Sequence, residues 1–174
     1  MRLSYGIILA LSVVAFLCGC SDDKDAFSTD NGAIDFRLDT LRHERFYLNQ
    51  YRGKVVVLTF WSTWCTVCKS EMVELKSFAS APEYKNLVIA AVCNDPENID
   101  DVKTIVQALD INYPVLLDKK ANVFKKLKMS AVPTTIVIDQ AGKISLTRQG
   151  YDANIMKQIK TSVESLLAEE KSSK

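Results

Sequence analysis

"FWSTWCTVCKSEM", residues 60–72, sets two cysteines, Cys65 and Cys68, three positions apart behind a tryptophan. Such a pair can be half of a metal knuckle, a structural crosslink or a redox centre, and its surroundings discriminate between them. Just ahead runs "VVVLTF", 55–60, a continuous β-branched and aromatic stretch, as expected of a central strand buried on both faces. Beyond it the period changes. Apolar side chains recur at Cys68, Met72, Leu75 and Ala79, with Lys69, Glu71, Glu74 and Lys76 between them. That spacing predicts a helix with one buried face. Ser62 or Thr63 is its candidate cap, and Pro82 lies past its end.

Four-cysteine zinc sites use two such pairs, and this chain has one pair and a single histidine, His43. A set of Cys65, Cys68, Cys93 and His43 remains the metal alternative. It ranks low because the pair opens a helix instead of a knuckle turn. A crosslink stabilises mainly by closing a long loop, and this loop is very short. Redox chemistry suits the placement better. Residues three apart share one helical face, within reach of a disulfide that needs Cα atoms about 4.4–6.8 Å apart. The first thiol lies beside unpaired backbone N–H groups and the positive end of the helix dipole. Both favour the nucleophilic thiolate. Cys65 is therefore expected to be the exposed attacker and Cys68, one turn in, the resolver. No cofactor beyond this dithiol is expected, and no metal.

The remaining chain alternates. "IDFRLDTLRHERFYLNQY", 34–51, carries short alternations around Phe36/Leu38 and Phe46/Leu48 and reads as a β-hairpin. "LVIAAVC", 87–93, is a second buried strand. In "DPEN", 95–98, Asp95 reads as a cap and Pro96 as the first helical residue. Ile99, Val102, Ile105, Val106 and Leu109 form the stripe of the helix that follows. "YPVLLD", 113–118, is a short strand, "ANVFKKLKM" a short helix, and "TTIVID", 134–139, pairs with "ISLTR" across the turn "QAGK". Asp152 is the candidate cap of a last helix through Ile155, Ile159, Val163 and Leu166. Strands alternating with helices and then a hairpin predict an α/β fold: a mixed sheet flanked by helices, with an N-terminal β-hairpin.

The N-terminus reads differently. Arg2 precedes "GIILALSVVAFL", 6–17, apolar except at Ser12, and then polar "SDDKD" follows. This is a secretory signal pattern, shorter than the roughly 20 residues a membrane span needs. The run ends in "LCGC", which resembles a bacterial lipobox, although Cys18 stands where smaller or β-branched residues are commoner. The resemblance implies cleavage before Cys20 and lipidation of Cys20. Three units are thus expected: a signal at 1–19, a polar tether at 20–33 and a domain at 34–170. The 174-residue chain has 22 basic and 21 acidic residues; loss of the signal removes one Arg, leaving 21 against 21. No basic stripe argues for nucleic acid.

"FWSTWCTVCKSEM" together with "VPTT", 132–135, resembles the active-site stretch and cis-proline loop of the thioredoxin superfamily. With the preceding hairpin, "RGKVVVLTFWSTWC" and "DPEN", the chain looks most like the TlpA/ResA-like branch of membrane-anchored, extracytoplasmic thiol–disulfide oxidoreductases. The likeness spans roughly residues 34–167. It implies a thioredoxin-like fold, with Pro133 beside the cysteines and Val132 and Thr134 offering backbone to an extended substrate. Trp64 is expected beside the site and Trp61 in the core. Cytoplasmic thioredoxins carry a buried acid where this chain has Thr59, so another group must take the proton from Cys68. Glu97, just after the second strand, is the candidate acid/base; equally, it can simply sit in a helix's first turn. Thr66-Val67, between the cysteines, should tune the potential. Cys93 reads first as a small buried apolar residue.

The expected function is a monomeric, lipid-tethered oxidoreductase of the bacterial envelope. It would reduce protein disulfides with electrons from a membrane donor. Apocytochromes c are the substrates the family likeness implies. The alternatives are an oxidase or isomerase on the same fold, a copper-handling relative, and a peroxiredoxin-like peroxidase. Ser62 and Cys65 fit the peroxidase S-x-x-C element, but Leu58 stands where it has proline.

Overall fold

A computed structural model describes residues 27–172 apart from residue 83. The expected signal, the lipid site Cys20 and most of the tether lie outside the described residues. The strands are β1 (Phe27–Asp30), β2 (Ala33–Thr40), β3 (Arg45–Tyr47), β4 (Val55–Trp61), β5 (Leu87–Cys93), β6 (Val115–Leu117), β7 (Thr134–Ile138) and β8 (Ile144–Gln149). The helices are α1 (Thr66–Ala79), α2 (Ile99–Ala108), α3 (Asn122–Lys126) and α4 (Ala153–Ser172). One sheet runs β1-β2-β6-β5-β4-β7-β8, with β3 also paired to β2.

The sheet is mixed, as the alternation of strands and helices implies. β4, β5 and β6 are parallel neighbours, and β7 and β8 fold back antiparallel on the far side of β4. The expected hairpin is present as β2–β3, with Leu38 opposite Phe46. It joins the main sheet through the antiparallel pairing of β2 with β6. The tether boundary moves, however. Residues 27–30 form β1 and pair with β2 through Phe27↔Phe36 to Asp30↔Ala33, so the folded part begins before residue 34. Four residues with one partly buried side chain carry no readable period; pairing with β2 orders them.

Alternation along β4 divides the core. Val55, Val57 and Trp61 join Met72, Val102 and Ile159 on the face covered by α1, α2 and α4. Val56, Leu58 and Phe60 join Phe36, Leu38 and Val123 on the face covered by α3 and the hairpin. All seven residues of β4 are buried. Its continuous apolar run is what a strand covered on both faces requires.

Two helix starts differ from the sequence expectation. α1 is capped by Cys65 itself, whose sulfur accepts from the Cys68 N–H at 3.2 Å, and not by Ser62 or Thr63. α2 is capped by Asn98, accepting from the Asp100 N–H at 3.1 Å, because the Asp95 carboxylate is engaged elsewhere. Asp152 does cap α4, accepting from the Ile155 N–H at 2.7 Å.

Candidate active site

Cys65 and Cys68 form a disulfide across the start of α1, with Cα atoms 5.4 Å apart. The order expected from the helix is kept, since Cys65 is 4 % and Cys68 0 % exposed. The expectation of an exposed Cys65 needs correction. Its sulfur lies in the rim of the α1 face of the core, because capping the helix turns it back over the first turn. The exposed groups are its neighbours: Trp64 at 71 % and Val67 at 45 %. Trp61 is fully buried, as expected.

The turn ahead of Cys65 is tied to the end of β5. The Thr63 N–H donates to both Asp95 oxygens at 3.0 and 3.2 Å, and the Thr63 hydroxyl donates to Oδ2 at 2.9 Å. The Ser62 hydroxyl donates to Asn94 Oδ1. Cys93 is fully buried, and its thiol donates to Asp95 Oδ1 at 3.3 Å. Burial pushes this thiol well above its ordinary range, so it stays protonated. Ser62, Thr63 and Asp95 thus position the turn that delivers Cys65, in place of the capping roles their sequence contexts suggest.

Glu97, the expected acid/base, is exposed in the turn before α2. Among the described residues no carboxylate hydrogen-bonds to either Cys65 or Cys68. A carboxylate buried within α1 is Glu71, one turn beyond Cys68 on the same face and 0 % exposed. Its Oε2 accepts from the Thr59 hydroxyl at 2.8 Å and its Oε1 from the Thr135 hydroxyl at 2.7 Å. Thr59 and Thr135 are direct cross-strand partners in β4 and β7. Burial raises the Glu71 carboxyl above its ordinary value; the two hydroxyls pull against that, and the Glu74 charge adds to it. Thr59, where cytoplasmic thioredoxins carry an acid, thus holds the carboxylate of Glu71. A signal existed: Glu71 is three residues after Cys68 and four before Leu75, inside the apolar stripe and not between stripes. Two threonines on flanking strands complete it, but their pairing is invisible until the strands are aligned.

The Val132–Pro133 peptide is cis, as the "VPTT" likeness implies. Pro133 is buried, and its carbonyl accepts from the Gly150 N–H at 2.8 Å. Thr134, expected to offer backbone to a substrate, lies inside the sheet. It is a buried residue of β7 between Phe60 and Gln149, and its hydroxyl donates to the Ala131 carbonyl at 2.6 Å. Val132 is half-buried, and among the described residues its backbone N–H and C=O have no partner. Also among the described residues, no group of three or more His, Cys, Asp and Glu side chains is placed to hold a metal.

Comparison with known proteins agrees with this geometry. The model of the AhpC/TSA family matches residues 29–147. The thiol–disulfide oxidoreductase ResA of Oceanobacillus iheyensis is 31 % identical over 148 residues, covering 83 % of this chain and 77 % of that protein. ResA of Bacillus cereus is 32 % identical over 149 residues, covering 82 % and 85 %. Among solved structures, StoA from Bacillus subtilis superposes with a TM-score of 0.63 at 25 % identity, covering 74 % of this chain and 95 % of that one. A thioredoxin-family thiol:disulfide interchange protein from Chlorobium tepidum superposes at 0.68 over 82 % and 99 %; at 22 % identity it shows the shared fold.

Proposed function

The chain belongs to the AhpC/TSA family and is a ResA-like thiol–disulfide oxidoreductase, and from that premise we propose that it reduces disulfides of protein substrates outside the cytoplasm. The observation that carries this reading is the Cys65–Cys68 disulfide at the mouth of α1 with Glu71 buried one turn below. In the reduced protein, the Cys65 thiolate is stabilised by the Cys68 N–H and the helix start. It attacks one sulfur of a substrate disulfide, which forms a mixed disulfide and expels the other sulfur as thiolate. Glu71 accepts the Cys68 proton. The Cys68 thiolate then attacks Cys65 Sγ, re-forms the internal disulfide and releases the second substrate sulfur. Two electrons pass from the dithiol to the substrate. The unpaired Val132 backbone gives an extended substrate segment a place to pair beside the sulfurs. Trp64 supplies an exposed aromatic wall.

A dithiol that acts as reductant must be recharged. A membrane donor fits the lipobox-like "LCGC", which supports a tether at Cys20. Apocytochromes c before haem attachment are the substrates that the TlpA/ResA likeness favours. The test is a Cys68→Ala variant, which leaves the mixed disulfide on Cys65 unresolved. Capture of a few cysteine-bearing targets, apocytochromes foremost, supports the reductase. Capture of many unfolded secreted proteins replaces it with an oxidase or isomerase, and no capture at all removes both. The AhpC/TSA match keeps one competitor in play, a peroxidase centred on Cys65. Against it, Leu58 is a buried core residue of β4 where that element has proline, and the Ser62 hydroxyl is committed to Asn94. Rapid peroxide consumption by the reduced protein would favour the peroxidase.

A further inference from the structure

"KKANVFKKLK", 119–128, holds five lysines and no acid, in a chain whose formal charge is only +1. The reaction above does not use it. All five lysines are exposed. Among the described residues only Lys119 approaches a carboxylate, Asp39 at 3.9 Å. The segment connects β6 to the loop of Pro133. With Asn94–Glu97 it frames a surface depression whose basic wall is Lys119, Lys120 and Lys125. The opposite wall is the loop that grips Ser62 and Thr63, two and three residues ahead of Cys65. The depression therefore lies on the rim of the redox site. The opposite wall carries two carboxylates, Asp95 and exposed Glu97, so the three lysines leave an excess of one positive charge, to which exposed Lys126 and Lys128 of the same segment add.

The lysines stand on a stiff base. Lys120 and Ala121 both take left-handed backbone, at φ 68 and 53, a conformation that non-glycine residues adopt at a cost and that concentrates at functional sites. Buried Asp118 maintains it. Its carboxylate accepts from the Val123 and Phe124 N–H groups at 3.1 and 2.9 Å, and its carbonyl accepts from the Ala121 N–H at 2.9 Å. Its own N–H donates to the Cys93 carbonyl at 2.8 Å, which locks the base to the end of β5. Lys125 Nζ donates to the Lys120 carbonyl at 2.8 Å, joining α3 to the turn.

We propose that the Lys119/Lys120/Lys125 shelf is a docking surface for acidic residues flanking the disulfide of a protein substrate. A fixed group of cations beside a reaction centre raises the encounter rate with an oppositely charged partner and orients it. The occupant is a polypeptide and not an anionic membrane, because a membrane seated on this rim would cover the approach to Cys65. The proposal rests on Cys65–Cys68 being the reacting pair, so its test carries a neutral small disulfide as an internal reference.

The reduced protein is assayed with two disulfide peptides of equal length, one with Asp and Glu around its cysteines and one with Ser, and with hydroxyethyl disulfide. At low salt the acidic peptide should react about tenfold faster than the neutral one. The advantage should disappear at about 0.5 M salt. It should also disappear in Lys119→Glu/Lys125→Glu but survive in Lys85→Glu/Lys143→Glu, which reverses equal charge elsewhere. Hydroxyethyl disulfide should react alike with all three proteins. Equal rates for the two peptides, or an advantage that persists in the shelf variant, overturn the proposal. So does shelf-dependent binding to anionic vesicles without any peptide preference. Failure to reduce hydroxyethyl disulfide would instead count against the redox reading of the cysteines.

Discussion

Glu71 and Cys93 are both buried on the α1 side of the sheet, and burial pushes both away from their ordinary ionisation. The consequences differ. Glu71 keeps two hydroxyl donors aimed at its oxygens, so its charged form is strained but reachable, as a proton acceptor requires. Glu71→Gln should slow resolution of the mixed disulfide about 100-fold at pH 7, visible as accumulated enzyme–substrate adduct in a quenched time course. The same residue leaves a stability signature. A carboxyl raised in the folded state binds its proton more tightly there than in the unfolded chain. Stability is therefore lost as pH rises from about 4.3, the unfolded value, through the folded value. Denaturation of the oxidised protein from pH 4 to 8 should show the wild type losing stability relative to Glu71→Gln as pH increases. Cys93, held protonated and donating to Asp95, has no thiolate to offer. Cys93→Ser keeps the donor and should leave turnover unchanged, and iodoacetamide should not label Cys93 in the native protein; a large loss of turnover would give this thiol a part in the reaction.

Along α1 the burial pattern separates two glutamates that look alike in sequence. Glu71 faces the sheet, while Glu74, three residues on, faces α4. Its Oε2 accepts from the Tyr151 hydroxyl at 2.8 Å and its Oε1 from Lys160 Nζ at 2.8 Å. Partial burial pushes the Glu74 carboxyl up, but the hydrogen bonds from Lys160 and Tyr151 and the Lys160 charge outweigh it and hold the group below its ordinary value. Tyr151 is in turn pushed up to about 12, chiefly by its bond to Glu74. The linkage sign is opposite to that of Glu71. The contribution of Glu74 is present above about pH 4.3 and is lost as pH falls through the lower, folded value. Glu74→Gln should therefore be slightly less stable than wild type at pH 7 and indistinguishable from it near pH 2, measured by urea melts. The helix period correctly placed Cys68, Met72 and Leu75 inside, but it counted Glu71 among the polar residues. A period assigns faces by residue type, and a carboxylate inside the stripe is indistinguishable from an exposed one until its partners are known.

Across the molecule, one sheet joins the N-terminal hairpin to the redox half. β2 meets β6, β6 meets β5, and β5 lies beside the strand that delivers the cysteines. Leu38 sits fully buried in this seam, between Phe46 across the hairpin and the α3 face of the core. Leu38→Ala should cost about 2–5 kcal/mol. If hairpin and sheet fold as one unit, urea unfolding of the variant will remain a single transition at lower midpoint; two separate transitions would show an independent hairpin. Much of this plan was legible in the chain. The central strand 55–60, the cysteines opening a helix and the β7–β8 hairpin all follow from local period and local chemistry, because neighbours in sequence set those features. Local reading also placed the fold's start too late, because β1 has no pattern of its own and is ordered by pairing with β2. Glu71 escaped the local reading for the same kind of reason. Glu71 is defined by hydroxyls 12 and 64 residues away, brought opposite each other when β4 and β7 pair. Sulfur chemistry needs only two residues on one helical turn, so the primary structure specifies it. A buried charge needs partners from several elements, and only the packed sheet and helix select which carboxylate that is.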